Sequence, residues 1–372
     1  MSEQTLASDA PSQSAPAIVI AAKNRAAAVV TLNRPKALNA LNADMRLAVS
    51  NALRPLARDP EIYALILRSN SEKAFCAGGD VRELVAWAEN DPQKAKDAFA
   101  AEYLLDWALE CFTKPTVSLA NGFVMGSGAG LTAYNTHRVG GERYAFAMPE
   151  TAIGFFPDVG MAHVLSRLPD HIGVYLGLTG ARIGRDDAFH LGLLTHLIDA
   201  EHFDHIEDRL ADAWPIDEVL DTLNEAPGEG ELAGLRATIN HCFSAVGIEE
   251  IVARLDQVNG DDREWAKKTA DDLRQRSPLA LKVTLQHIRQ AARLELRETL
   301  QSDHRLALRF LSEPDFAEGV RAALIDKDGQ PQWQPANLSE ITQERVDAMF
   351  TDLGADELDL PTRENMQDLR KS

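Results

Sequence analysis

Two carboxylates, Glu150 and Asp158, stand in residues 146–160, a segment otherwise dominated by apolar residues, prolines and glycines. Pro149, Gly154 and Pro157 exclude a single helix running through it, because proline removes a ladder donor and glycine relaxes the backbone. The segment must bend. A bent, buried loop can aim both acids into one cleft, and burial among Phe146, Phe155 and Phe156 would raise a carboxyl pKa toward working pH. The competing reading makes Glu150 a first-turn residue and Asp158 the N-cap of a helix over residues 159–168.

The rest of the chain reads as α/β. Residues 26–32 are β-prone and stop at Asn33-Arg34-Pro35. Residues 43–57 place Met45, Val49, Leu53 and Leu56 on one helical face, with Asn42 or Asp44 near the start and Pro55 expected to kink or end the helix early. A second strand follows over residues 63–67, and strand, helix, strand is the signature of layered α/β structure. A small-residue turn over 73–80 leads into a helix over 81–88, the charged residues 89–96 read as an exposed connection, and helical spacing returns over 98–112 before a strand at 115–120.

The glycines of residues 121–131 let backbone approach a ligand closely and leave N–H groups at a helix start facing a cleft. Their spacing is neither a P-loop nor a dinucleotide fingerprint. Beyond them, the expected organisation is a disordered tail over 1–16, an α/β core over 17–200, an acidic helical insertion over 201–276, a C-terminal helical region over 277–353 and a flexible tail over 354–372.

Charge narrows the partners. A net charge of -19 repels nucleic acid and anionic membrane surfaces, so a phosphate-bearing ligand needs a local basic patch. Cys76, Cys111 and Cys242 are too few and too scattered for a disulfide framework or a zinc site, which fits a reducing cytoplasm. No apolar run approaches the roughly 20 residues of a membrane span. The first residues lack the pattern of a signal peptide and, without Lys or Arg over 1–16, read poorly as a transit peptide.

Residues 28–41 (AVVTLNRPKALNAL), 73–80, 121–131, 149–160 and 315–328 resemble, in that order, the signatures of the crotonase, or enoyl-CoA hydratase/isomerase, superfamily. More narrowly, residues 148–160, the Glu102-Tyr103 pair, the long insertion and residues 325–328 followed by Trp333 resemble its 3-hydroxyisobutyryl-CoA hydrolase branch. The resemblance implies a crotonase-like (ClpP/crotonase) spiral of β-β-α units with a helical C-terminal region. It also implies an oxyanion hole made by the backbone N–H groups of Gly79 and Ser127, where Ser127 replaces the usual glycine. Such donors stabilise the charge that develops on a thioester carbonyl.

The same resemblance assigns the acids. Hydratases of the family use a second glutamate where this chain has Gly130, and generally carry a small residue where it has Asp158. Glu150 and Asp158 are therefore expected to divide the work of thioester hydrolysis. Glu102 matches a substrate-contacting acid, although its charged helix equally suits a solvated face. Lys36, Ala37 and Leu38 are expected against coenzyme A, with Lys36 or Arg34 meeting a phosphate. Asp80 is read as a helix cap, Cys76 as a small buried filler and His163 as a packed residue outside the chemistry. No metal and no cofactor are implied, coenzyme A being part of the acyl-CoA substrate; a homo-oligomer is compatible. The rival expectations are an enoyl-CoA hydratase or isomerase working with Glu150 alone, and a non-catalytic CoA-binding protein.

Overall fold

In the computed structural model, which describes residues 17–368, the β-prone runs pair into two sheets. The strands are β1 (Val19–Asn24), β2 (Ala27–Leu32), β3 (Ala64–Ser69), β4 (Ala74–Cys76), β5 (Thr116–Ala120), β6 (Phe123–Met125), β7 (His137–Gly140), β8 (Ala145–Ala147), β9 (Ile183–Gly184) and β10 (His196–Leu197). One sheet has the order β1-β2-β3-β5-β7-β10 and the other β4-β6-β8-β9. Pairing is parallel except at β1 with β2 and β8 with β9. Consecutive strand pairs β3/β4, β5/β6 and β7/β8 each place one strand in each sheet, so the chain advances as a spiral.

Helices fill the turns of that spiral. They are α1 (Ala43–Arg58), α2 (Val81–Asn90), α3 (Pro92–Glu110), α4 (Ser127–Ala133), α5 (Met161–Leu165), α6 (Ile172–Thr179) and α7 (Arg185–His190). Helix α1 starts as expected, with the Asn42 side chain accepting from the Met45 N–H, but it runs through Pro55 to Arg58. Pro55 lies within its last turn and gives up one ladder donor there without ending the helix. The charged residues 89–96 are not a connection either. Pro92 opens α3 directly after α2, with Asp91 accepting from the Lys94 N–H as its cap.

The longer sheet is buried on both faces. Ala28, Val30, Leu65 and Leu67 face the main core, while Ala27, Val29, Ala64 and Ile66 face Phe203, Ile206, Leu210 and Leu220. Those last residues belong to α8 (Phe203–Ala211) and α9 (Ile216–Leu223), so the start of the expected insertion is the outer cover of the sheet. A parallel sheet needs such a cover on each side. Next come α10 (Arg236–Phe243), α11 (Ile248–Asp256), α12 (Arg263–Arg274), α13 (Pro278–Ala291), α14 (Leu296–Phe310), α15 (Pro314–Val320), α16 (Gln343–Met349) and α17 (Arg363–Asp368).

The end of the described chain is not free. Leu360 is fully buried, the Trp107 indole donates to the Pro361 carbonyl at 2.8 Å, and Arg297 donates to the Leu360 carbonyl at 2.8 Å. Residues 357–366 thus strap the outer side of α3, contrary to the expectation of a flexible tail from 354 onward. Burying a leucine side chain stabilises by roughly 1.5–3 kcal/mol, which is what holds such a strap down. The tail expected over residues 1–16 lies outside the described residues. Among the described residues no helix is long and apolar enough to cross a membrane.

Candidate active site

Where the two sheets meet the first turns of α2 and α4, a cavity of about 320 Å³ opens between the turn at residues 77–79, the turn at 125–127 and the segment 149–158. Gly126, at φ 47°, is the point on which these converge. A β-carbon on it would stand 3.0 Å from Glu150 Oε1, 3.3 Å from Gly78 Cα and 4.0 Å from the Gly79 nitrogen. Only glycine allows that approach. The N–H groups of Gly79 and Ser127 donate to no acceptor among the described residues. The Ser127 hydroxyl finds room because Gly79 has no side chain; a β-carbon there would lie 3.1 Å from Ser127 Oγ. The serine therefore fits the turn without displacing its amide.

The acidic segment bends where its prolines and glycines predict. Residues Glu150–Ile153 form one 3-10 turn, Gly154 closes it at φ 68°, and Gly160 at φ 73° precedes α5. Asp158 is not a side-chain cap; its backbone carbonyl accepts from the Met161 N–H, and its carboxylate turns into the cavity. Glu150 lines the same cavity and its Oε2 has no partner among the described residues. Burial pushes the Glu150 carboxyl up to about 8. Asp158 is also held well above the ordinary carboxylate range, first by burial and then by the charges of Glu102, Glu150 and Asp303, with the hydrogen bond from Tyr103 pulling the other way. Two neighbouring acids raised in this way hold protons at pH values where free carboxylates do not.

Three side chains grip the loop that carries Asp158. The Tyr103 hydroxyl donates to Asp158 Oδ2 at 2.9 Å, the Tyr134 hydroxyl to the Val159 carbonyl at 2.6 Å, and the Gly160 N–H to Asp303 Oδ2 at 2.7 Å. Asp303 is oriented in turn by His287 Nε2 at 2.5 Å. Val159 itself sits at φ 52°, a left-handed conformation costly for a β-branched residue. The grip is what sustains it.

Glu102 is not on a solvated face. It lines the cavity, buried, and its Oε2 accepts from Arg46 Nη1 at 3.0 Å. Asp106, one turn on, is also buried, with burial first and the charges of Glu102, Asp158 and Asp303 next keeping its carboxyl well above the ordinary range. It closes the space in front of Gly130, where a β-carbon would stand 2.5 Å from Asp106 Oδ1 and 3.0 Å from Val159 Cβ.

Lys36, Ala37 and Leu38 form a short turn outside the cavity wall, joined to it by the Ala77 N–H donating to the Leu38 carbonyl at 3.1 Å. Lys36 is exposed. Arg34 is committed elsewhere, to Asp80 at 2.9 Å and the Ala40 carbonyl; Asp80 stands at the N-cap position of α2, but its carboxylate pairs with Arg34 and makes no side-chain cap bond. Cys76 is buried beneath Gly128, with its thiol pushed to about 12 by burial. His163 bonds the Leu294 carbonyl at 3.2 Å.

Arg46, Asp106, Tyr134, His287 and Asp303 carry or frame this site and went unnoticed in the sequence. One signal was present. Arg46 shares the apolar face of Val49 and Leu53, and Asp106 follows Phe99, Glu102 and Tyr103 at helical spacing, so each put charge on a stripe that faces the core.

Residues 27–350 match the family model of enoyl-CoA hydratase/isomerase. A 3-hydroxyisobutyryl-CoA hydrolase, mitochondrial, of Xenopus laevis is 39% identical over 344 residues, covering 90% of this chain and 89% of that protein. A solved structure described as a carnitinyl-CoA dehydratase from Mycobacterium thermoresistibile superposes with a TM-score of 0.87 at 34% identity, covering 93% of this chain and 99% of its own. Another, described as an enoyl-CoA hydratase from Rhodobacter sphaeroides, gives 0.86 at 36% identity, with 92% and 100% covered.

Proposed function

Because the chain belongs to the enoyl-CoA hydratase/isomerase family and has its crotonase fold, we propose that it is a hydrolase cleaving the thioester of 3-hydroxyisobutyryl-CoA to the free hydroxy acid and coenzyme A. One observation carries the reading: Glu150 and Asp158 share a cavity with two undirected backbone N–H groups, while Asp106 and Val159 leave no room for a longer side chain at Gly130. An enzyme that adds water across a double bond with a pair of glutamates would need that room. Hydrolysis needs a different pair.

Glu150 and Asp158 do this work as a pair, one ionised and the other protonated in the reacting state. The ionised carboxylate activates water or attacks the carbonyl carbon itself, and the carbonyl oxygen takes up negative charge against the N–H groups of Gly79 and Ser127. The C–S bond breaks, the other carboxyl gives its proton to the leaving thiolate, and water supplies the oxygen of the new acid. Glu102 contacts the acyl group, and Lys36, Ala37 and Leu38 lie along coenzyme A, with the exposed Lys36 meeting a phosphate. The reaction uses no metal or redox cofactor and serves valine breakdown. The free, buried thiols of Cys76 and Cys242 support a reducing compartment, and we read it as the cytoplasm, whereas the Xenopus relative is named mitochondrial.

The test is thiol release from 3-hydroxyisobutyryl-CoA beside loss of enoyl absorbance from crotonyl-CoA. Thiol release without hydration is expected. Hydration without thiol release would replace the reading with the hydratase, the activity named for the Rhodobacter structure.

A further inference from the structure

We propose that Arg46 is a positioning residue that makes Glu102 the acceptor for a hydroxyl on the substrate's acyl chain, a proposal that rests on the thioesterase reading above. Arg46 is the largest fully buried side chain among the described residues, with 2% of its side chain exposed against 5% for Glu102. It is the one cation bonded to any of Glu102, Asp106, Glu150 and Asp158 among the described residues. Its Nε and Nη2 have no partner there, so its directed bonds are those of Nη1.

Nη1 ties two parts of the site together. It bonds Glu102 Oε2 at 3.0 Å and the Leu41 carbonyl at 3.4 Å. Leu41 is itself laced to the first turn, donating to the Gly78 carbonyl at 2.8 Å and accepting from the Asp80 N–H at 2.8 Å. Nη1 stands 3.9 Å from where a β-carbon on Gly79 would lie. The acid at Glu102 is thereby held at a fixed place relative to the Gly79 amide.

That arrangement can measure a substrate. Glu102 Oε1 is buried and has no partner among the described residues. A carboxylate ion-paired to Arg46 offers acceptors only, and its orphan oxygen is satisfied by a donor such as a hydroxyl. With the thioester oxygen resting on the Gly79 N–H, a hydroxyl two carbons from the carbonyl is presented to the wall that Glu102 forms. An acyl chain without the hydroxyl leaves a buried charge unsatisfied and is rejected for that reason. Without Arg46 the Glu102 carboxylate would lose the bond that fixes Oε2, and with it the aim of Oε1.

The experiment compares kcat/KM of the full chain on 3-hydroxyisobutyryl-CoA and on isobutyryl-CoA, which differ only in the hydroxyl. The parent should prefer the hydroxylated thioester by roughly 10- to 100-fold, the range carried by a hydrogen bond to a charged group. Arg46→Met and Glu102→Gln should each erase most of that preference, lowering kcat/KM far more for the hydroxylated substrate than for isobutyryl-CoA. The pair Arg46→Met/Glu102→Gln removes both buried charges together, so it keeps the test open should Arg46→Met alone fail to fold, and it should show no preference. Arg46→Lys should restore part of it. A double variant that keeps the preference, or an Arg46→Met variant that slows both thioesters equally, overturns the proposal. A parent that cleaves both thioesters alike defeats this inference alone, and a parent that cleaves neither defeats the function on which it rests.

Discussion

The cavity draws its acids from two unlike scaffolds, the loop of residues 149–160 and the long helix α3. On the loop, direction is the difficulty. Asp158 is aimed only because Tyr103, Tyr134 and Asp303 hold the chain around it, with Val159 kept at φ 52°, a conformation that costs on the order of 1–3 kcal/mol. On the helix, direction comes free, since residues four apart fall on one face. There the difficulty is charge. Glu102 needs Arg46 beside it, and Asp106, which bonds no cation among the described residues, sits with its carboxyl raised well above the ordinary range by burial first. A loop acid asks its neighbours for geometry, and a helix acid asks them for electrostatics.

The largest effect should come from the loop. Glu150→Gln and Asp158→Asn are each expected to lower thiol release by about 10²- to 10⁴-fold, the usual weight of a general acid or base, while a thermal shift with coenzyme A is retained. Unchanged turnover in either variant would remove that residue from the chemistry and leave the helix acids to explain it.

A second effect, on stability, carries the opposite sign. Folding raises Glu150 from 4.5 to about 8, so between those pH values the folded protein keeps a proton that the unfolded chain has released. Stability associated with this group is full below the lower value and is lost as pH rises through the upper one. Glutamine does not titrate. Glu150→Gln should therefore gain on the parent as pH rises from 5 to 8.5, by an amount on the order of a few kcal/mol, read from urea unfolding at both ends. A difference that stays constant with pH would mean that Glu150 is not the buried proton carrier described here.

The smallest effect probes the Tyr103–Asp158 hydrogen bond, which joins the two scaffolds. Tyr103→Phe removes the donor to Asp158 from α3, and a carboxylate that loses a donor becomes harder to ionise. The acidic limb of the kcat/KM profile should move to higher pH by up to about 1 unit, with turnover at fixed pH falling roughly tenfold. A profile that does not move would show that the loop positions Asp158 without the helix.

The loop was legible in the sequence and the helix was not, for the same physical reason. Proline and glycine mark a bend without reference to the rest of the molecule, so Pro149, Gly154 and Pro157 announced the shape of the acidic segment, and the order of glycine-rich turns announced the family and its spiral. Glu102 was ambiguous because α3 is buried on several sides, with Phe99, Tyr103, Leu105, Trp107 and Leu109 pointing in different directions and erasing the polar face that would have told inside from outside. Arg46 was hidden because its cost is offset by a partner far away in sequence, and pairs of that kind leave no local trace. The cover of the outer sheet face by α8 and α9 was missed likewise, since an acidic composition described the exposed sides of those helices and not the side facing Ala27 and Ile66.

The strap over α3 gives the molecule a clock. Trp107 meets the carbonyl of Pro361, 254 residues further along the chain. During synthesis the helix that carries Glu102, Tyr103 and Asp106 leaves the ribosome long before the segment that presses it into place. A segment translated long after α3 is thus the one that braces it, and a nascent chain or one clipped before residue 357 carries the acids of the site without that brace.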